Sequence, residues 1–150
     1  MKKMVSLVLV LAMVLAFSGC GKTMNIEFPF DASDVETIVI YQYNVPAAAE
    51  KKILTESDDI EGVMNVFSGI TLRDEKVEKC SGSTVTSFQF NLSDGTSYAI
   101  IYVSEAVKSG TLMLSDDDTE WFTSADIGAL WDTGDSNAVK ADMSELPSIE

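Results

Sequence analysis

The chain has no histidine among its 150 residues. That absence removes the Ser-His and Cys-His couples that activate nucleophiles, and every histidine metal ligand. Cysteine is nearly as scarce. Cys20 and Cys80 allow at most one internal disulfide, which excludes a disulfide-stapled scaffold. Basic residues are few: ten lysines and arginines stand against 24 aspartates and glutamates, a net charge of −14. No basic patch is available to neutralise phosphates, so nucleic acid is excluded as an expected partner. Calcium-loop spacing is missing too. The densest acidic run, Asp116-Asp117-Asp118 with Glu120, has Trp121 at the sixth position, where such a loop needs glycine, and the run Asp132 to Asn137 also lacks the pattern. Both read as solvated turns. No catalytic residue, metal or cofactor is expected.

What is present begins at the N-terminus. Lys2 and Lys3 precede an almost wholly apolar run from Val5 to Phe17. The run is shorter than the roughly 20 residues that span a bilayer, and the order of basic, apolar and small residues is that of an export signal. It closes on Phe17-Ser18-Gly19-Cys20, which resembles the lipobox of bacterial lipoproteins, with Phe17 where leucine is usual. The resemblance implies a diacylglycerol on the Cys20 thiol and cleavage just before it. It places the protein outside the cell, lipid-anchored to the outer side of the bacterial membrane. Each buried CH₂ of such an anchor contributes about 0.8 kcal/mol.

Loss of residues 1–19 leaves 131 residues and takes Lys2 and Lys3 away, which brings the net charge from −14 to −16. Anionic headgroups repel such a domain, so attachment falls to the lipid. With Cys20 acylated, Cys80 has no partner in the chain. Without histidine to activate it, Cys80 reads as an inert thiol.

Residues 20–27 read as a lipidated tether, 28–134 as a single domain, and 135–150 as a mobile polar tail. Within the domain, Val35 to Tyr43 is rich in β-branched and aromatic residues and predicts a central strand. A short strand is expected at Lys52 to Leu54. Ile60, Val63, Met64 and Phe67 fall at i, i+3, i+4 and i+7, so Asp58 to Phe67 predicts an amphipathic helix, capped by Thr55 or Ser57 and ended by Ser68-Gly69. Leu72 to Lys79 suits a charged edge strand. Thr84 to Leu92 alternates Phe88, Phe90 and Leu92 with Ser87, Gln89 and Asn91, a half-buried strand. Ser93-Asp94-Gly95 signals a hairpin into Thr96 to Val103. Thr111 to Leu114 and Thr119 to Phe122 continue the meander. A second short helix is expected from Ala125 to Trp131. The fold class that follows is α+β: an antiparallel sheet of five or six strands, one main helix on one face, and a second short C-terminal helix. That order of elements is similar to small uncharacterised lipoproteins of Gram-positive anaerobes, a likeness that implies no activity.

For function, the pattern favours a non-enzymatic binding or accessory module that meets an envelope or secreted protein. Two alternatives stand beside it: a cell-envelope hydrolase using paired carboxylates, marked by a deep cleft with displaced pKa values, and a small-solute binding lipoprotein. The sequence leaves the oligomeric state open. Tyr41, Tyr43, Tyr98, Tyr102, Trp121 and Trp131 could build a stacking platform or simply fill a sheet core. The sharpest clue is Trp121-Phe122. Strand neighbours face opposite ways, so one of the two must leave the core and offer a contact surface.

Overall fold

The computed structural model describes residues 21–78 and 80–148. The expected signal peptide and Cys20 lie outside the described residues. Nine strands form one antiparallel sheet: β1 Thr23–Asn25, β2 Val35–Tyr43, β3 Glu50–Leu54, β4 Thr71–Arg73, β5 Thr84–Leu92, β6 Ser97–Ala106, β7 Ser109–Leu114, β8 Asp117–Thr123 and β9 Val139–Lys140. Their spatial order is β1-β4-β8-β7-β6-β5-β2-β3-β9. The meander from β5 to β8 and the β2–β3 pair form the middle. The shortest strands lie toward the two edges.

This overturns the expected α+β fold of five or six strands. The protein is mostly β, at 43% strand and 21% helical, with a single α-helix among the described residues, α1 (Ser57–Ser68). The expected second helix is a 3₁₀ helix over Ile127–Asp132, closed by the Thr133 amide donating to the Leu130 carbonyl. Apolar residues at 127, 130 and 131 suit three residues per turn as well as 3.6, so the stripe alone could not separate the two forms. The extra strands have a different origin. β1 and β9 are three and two residues long and carry no alternation of their own; pairing with a neighbour makes them strands, whereas β4 keeps only the start of the edge strand expected over Leu72 to Lys79 and has β1 on its outer side. β4 stops at Arg73, after which the Asp74 amide donates to the Lys22 carbonyl and the charged stretch 74–78 leaves the sheet.

One face of the sheet holds the main core. Ile38 and Ile40 of β2, Phe88 and Phe90 of β5, Tyr98, Ile100 and Tyr102 of β6, Leu112 and Leu114 of β7, and Trp121 of β8 are buried there. Ile60, Val63, Met64 and Phe67 of α1 join the same cluster. Phe67 meets Phe88 edge-on with ring centroids 4.9 Å apart, a geometry worth about 0.5–1.5 kcal/mol beyond area burial. α1 begins after Glu56 without a side-chain cap. Asp58 and Asp59 sit in its first turn, where carboxylates favour the positive end of the helix dipole. At its far end the Gly69 amide donates to the carbonyls of Asn65 and Val66.

The opposite face is built differently. A row of paired residues crosses it: Tyr43, Val85, Val103, Thr111 and Phe122. Its apolar cluster is small, made of Val39, Tyr41, Ala49 and Ala141, with Tyr43 and Leu146 against it. The cover comes from the segment expected as a polar tail. There β9 pairs with β3, the Ala141 amide donates to the Ala49 carbonyl, and Lys51 forms an ion pair with Glu145. Burial raises the pKa of Tyr41, aided by the nearby Glu145 carboxylate, and burial alone raises that of Tyr43.

Candidate functional site

Trp121 and Phe122 do point apart. Trp121 is the core member, 1% exposed, and its indole Nε1 donates to Asp117 Oδ2 at 2.9 Å. The Lys22 ammonium lies 5.8 Å from the Trp121 ring. Phe122 is half-buried on the other face, where the Arg73 guanidinium sits 4.7 Å from its ring. The contact role foreseen for the pair therefore has only Phe122 to rest on, and Arg73 already occupies one side of that ring.

The structure gathers another set of residues that the sequence did not single out. After β1 the chain runs through Ile26, which is buried, and then along the segment 27–34 toward β2. Phe28 and Phe30, on either side of Pro29, are half-buried. Phe28 contacts Phe30, Phe67, Phe90 and Tyr98, and Phe30 contacts Phe90 and Tyr98, all with ring centroids between 5.2 and 6.3 Å apart. An aromatic column thus rises from the core to the surface and ends at Phe30.

Two cavities meet at Phe30. One, of about 340 Å³, is lined by Phe28, Phe30, Asp31 and Ala32 on one side and by Glu61, Met64, Asn65 and Ser68 of α1 on the other. The second, of about 440 Å³, is lined by Pro29, Phe30, Asp34 and Leu92 with Ser93, Asp94 and Thr96 of the β5–β6 turn. Four carboxylates stand around them, and no lysine or arginine lines either among the described residues. The local folding explains the placement. Asp34 Oδ2 accepts from the Asp31 amide and closes a tight turn before β2. Asp94 Oδ1 accepts from the Thr96 amide and hydroxyl, which holds the hairpin. Gly95 sits at φ +85°, a region that glycine enters freely. The Thr96 hydrogen bonds, hydroxyl first, hold the Asp94 carboxyl below the usual aspartate range.

A third cavity, of about 420 Å³, lies beside Met24, Asn25, Glu27, Tyr98, Leu114, Asp116 and Asp117. Here two aspartates of the acidic run are committed to structure. Asp116 Oδ1 accepts from the Tyr98 hydroxyl at 2.6 Å, and Asp117 accepts from the Thr119 amide and the Trp121 indole. Burial, then Asp116, raises the Tyr98 pKa strongly, so its hydroxyl stays protonated and donating. Among the described residues no three acidic or cysteine side chains converge to hold a metal ion. The aspartates whose pKa is displaced, Asp94, Asp117 and Asp142, all shift downward through hydrogen bonds in turns. A general acid needs the opposite shift.

Cys80 is an exposed free thiol, and its amide donates to Glu105 Oε2. The Phe30 surface did leave a trace in the sequence. Phe28-Pro29-Phe30 followed by Asp31 and Asp34 is an aromatic-acidic run directly after the expected tether. What it lacked was the other wall, since Glu61, Met64 and Asp94 arrive from distant parts of the chain. No family model, curated protein or solved structure matches this chain.

Proposed function

We propose that the protein is a lipid-anchored extracytoplasmic lipoprotein that acts as a non-enzymatic binding module on the outer side of the bacterial cell membrane. The anchor follows from the signal-like residues 1–19 and the lipobox-like sequence ending at Cys20. The binding role rests on one observation: an aromatic column ends half-exposed at Phe30, between two cavities rimmed by carboxylates. Large apolar groups in a core gain from full burial, and an aromatic held partly open beside two cavities is placed to gain it from a partner.

Fractionation of cells tests the anchor. The wild-type protein is expected in the membrane fraction, with acyl groups on Cys20 found by mass spectrometry. Cys20→Ser should move it to the medium or leave it as uncleaved precursor. A mature N-terminus free of lipid would overturn the localisation. Cross-linking on intact cells tests the binding role, with a discrete adduct expected.

A further inference from the structure

We propose that the groove across Phe30 docks an extended cationic peptide segment with apolar side chains, supplied by a partner protein. The inference rests on the binding-module reading above and names the chemistry of its partner.

The groove is pre-shaped. Phe30 is fixed by ring contacts to Phe28 at 5.4 Å and Tyr98 at 5.5 Å, so little side-chain freedom remains to be lost on docking. The two cavities that it joins fall within the roughly 300–1,000 Å³ of ligand sites. Met64 lines one of them and can adapt to varied apolar groups.

Charge selects among occupants. Asp31 and Glu61 stand at one cavity and Asp34 and Asp94 at the other, with no basic residue lining either among the described residues. Lysine or arginine heads alternating with apolar side chains satisfy both features at once: the apolar groups cover Phe30 while the heads meet the carboxylates. An anionic lipid surface meets the wrong sign. A second copy of this chain brings four more carboxylates to the same place. A bare cation fits poorly, because Asp34 and Asp94 already spend oxygens on the Asp31 amide and on Thr96. They offer field rather than open ligands.

The test uses the full-length protein, extracted from membranes in a nonionic detergent, and three labelled seven-residue peptides. These alternate lysine with leucine, lysine with glycine, and glutamate with leucine. Only the lysine–leucine peptide should bind saturably, and more weakly as salt rises. Phe30→Ser should weaken that binding roughly 30-fold, the scale of a lost anchor residue. The double variant Asp31→Asn with Glu61→Gln should weaken it about fivefold, as for lost rim charges. Val107→Ser, at a residue 86% exposed in the β6–β7 hairpin, should leave it unchanged. Circular dichroism checks each fold, and the double variant decides if Phe30→Ser does not fold. Equal binding of the lysine–glycine peptide, binding indifferent to the folded variants, or no binding would overturn the inference. So would self-association abolished by Phe30→Ser, which would make a second copy the occupant. A membrane-retained protein whose cross-linked partner survives the double variant would sink the groove and leave the anchored module standing.

Discussion

The two faces of the sheet solve different problems. On the helix side, aromatic and aliphatic residues from seven strands and α1 close into one cluster, with Phe67, Phe88, Phe90 and Tyr102 each no more than 1% exposed. On the other side, among the described residues, the cluster is four residues, with Tyr43 and the C-terminal segment at Leu146 packed against it. Adjacent residues of one strand sample both environments. Trp121 is sealed in the first, while Phe122 sits half-open in the second under Arg73. The contrast indicates that most of the cohesion resides on the helix side.

Large-to-small substitution breaks this comparison most sharply. Phe90→Ala and Trp121→Ala should each cost about 3–5 kcal/mol, the range for truncating a buried aromatic. Phe122→Ala should cost about 1 kcal/mol, as an ordinary substitution does. Chemical denaturation of the three variants measures this, and equal losses at Trp121 and Phe122 would erase the distinction between the faces.

A smaller effect is expected at Gly110 in β7. A Cβ there would lie 2.4 Å from the Tyr102 ring and 2.5 Å from the Val103 carbonyl oxygen. Gly110→Ala should therefore cost about 1–3 kcal/mol through overpacking. Paired with Tyr102→Leu it should cost only part as much, because the ring is gone while the Val103 carbonyl oxygen still crowds the methyl group. A double-mutant cycle by thermal melting checks the coupling.

Acid probes the helix side through Asp117. Hydrogen bonds from Thr119, then the Trp121 indole, hold its carboxyl below the usual aspartate range. A depressed value means that the folded state binds the proton less readily than the unfolded chain. The resulting stability is complete above the unfolded value near 3.9 and is lost as pH falls through the folded one. Tryptophan fluorescence should report this, with an acid transition in the wild type that Asp117→Asn removes. At the bottom of the scale, Cys80→Ala should change stability by no more than about 0.5 kcal/mol, since the thiol is exposed and only the backbone is engaged.

How much of this the sequence carried depends on where the information lies. Strands with their own alternation were legible: Thr84 to Leu92 faces Phe88 and Phe90 inward, and the hairpin at Asp94-Gly95 stands where its residues put it. The stripe from Ile60 to Phe67 defined α1 to within a residue at each end. What was hidden belongs to pairing. Thr23–Asn25 and Val139–Lys140 are strands because β4 and β3 offer them unpaired backbone, and no local pattern announces that. The Phe30 groove was hidden for the same reason, as its walls lie about 30 and 60 positions apart in the chain.

The first and last strands in sequence are also the two edges of the sheet. β1 covers β4 at one edge and β9 covers β3 at the other, with three and two residues. Beneath β9 lies a five-residue strand with Ile53 44% exposed. Backbone left bare on such a strand is a template for the next chain. The two short strands thus serve as stoppers against polymerisation. Proteolytic trimming at Val139 should leave the edge of β3 prone to edge-to-edge aggregation, and it also takes away Ala141 and Leu146, which cover the small cluster on that face.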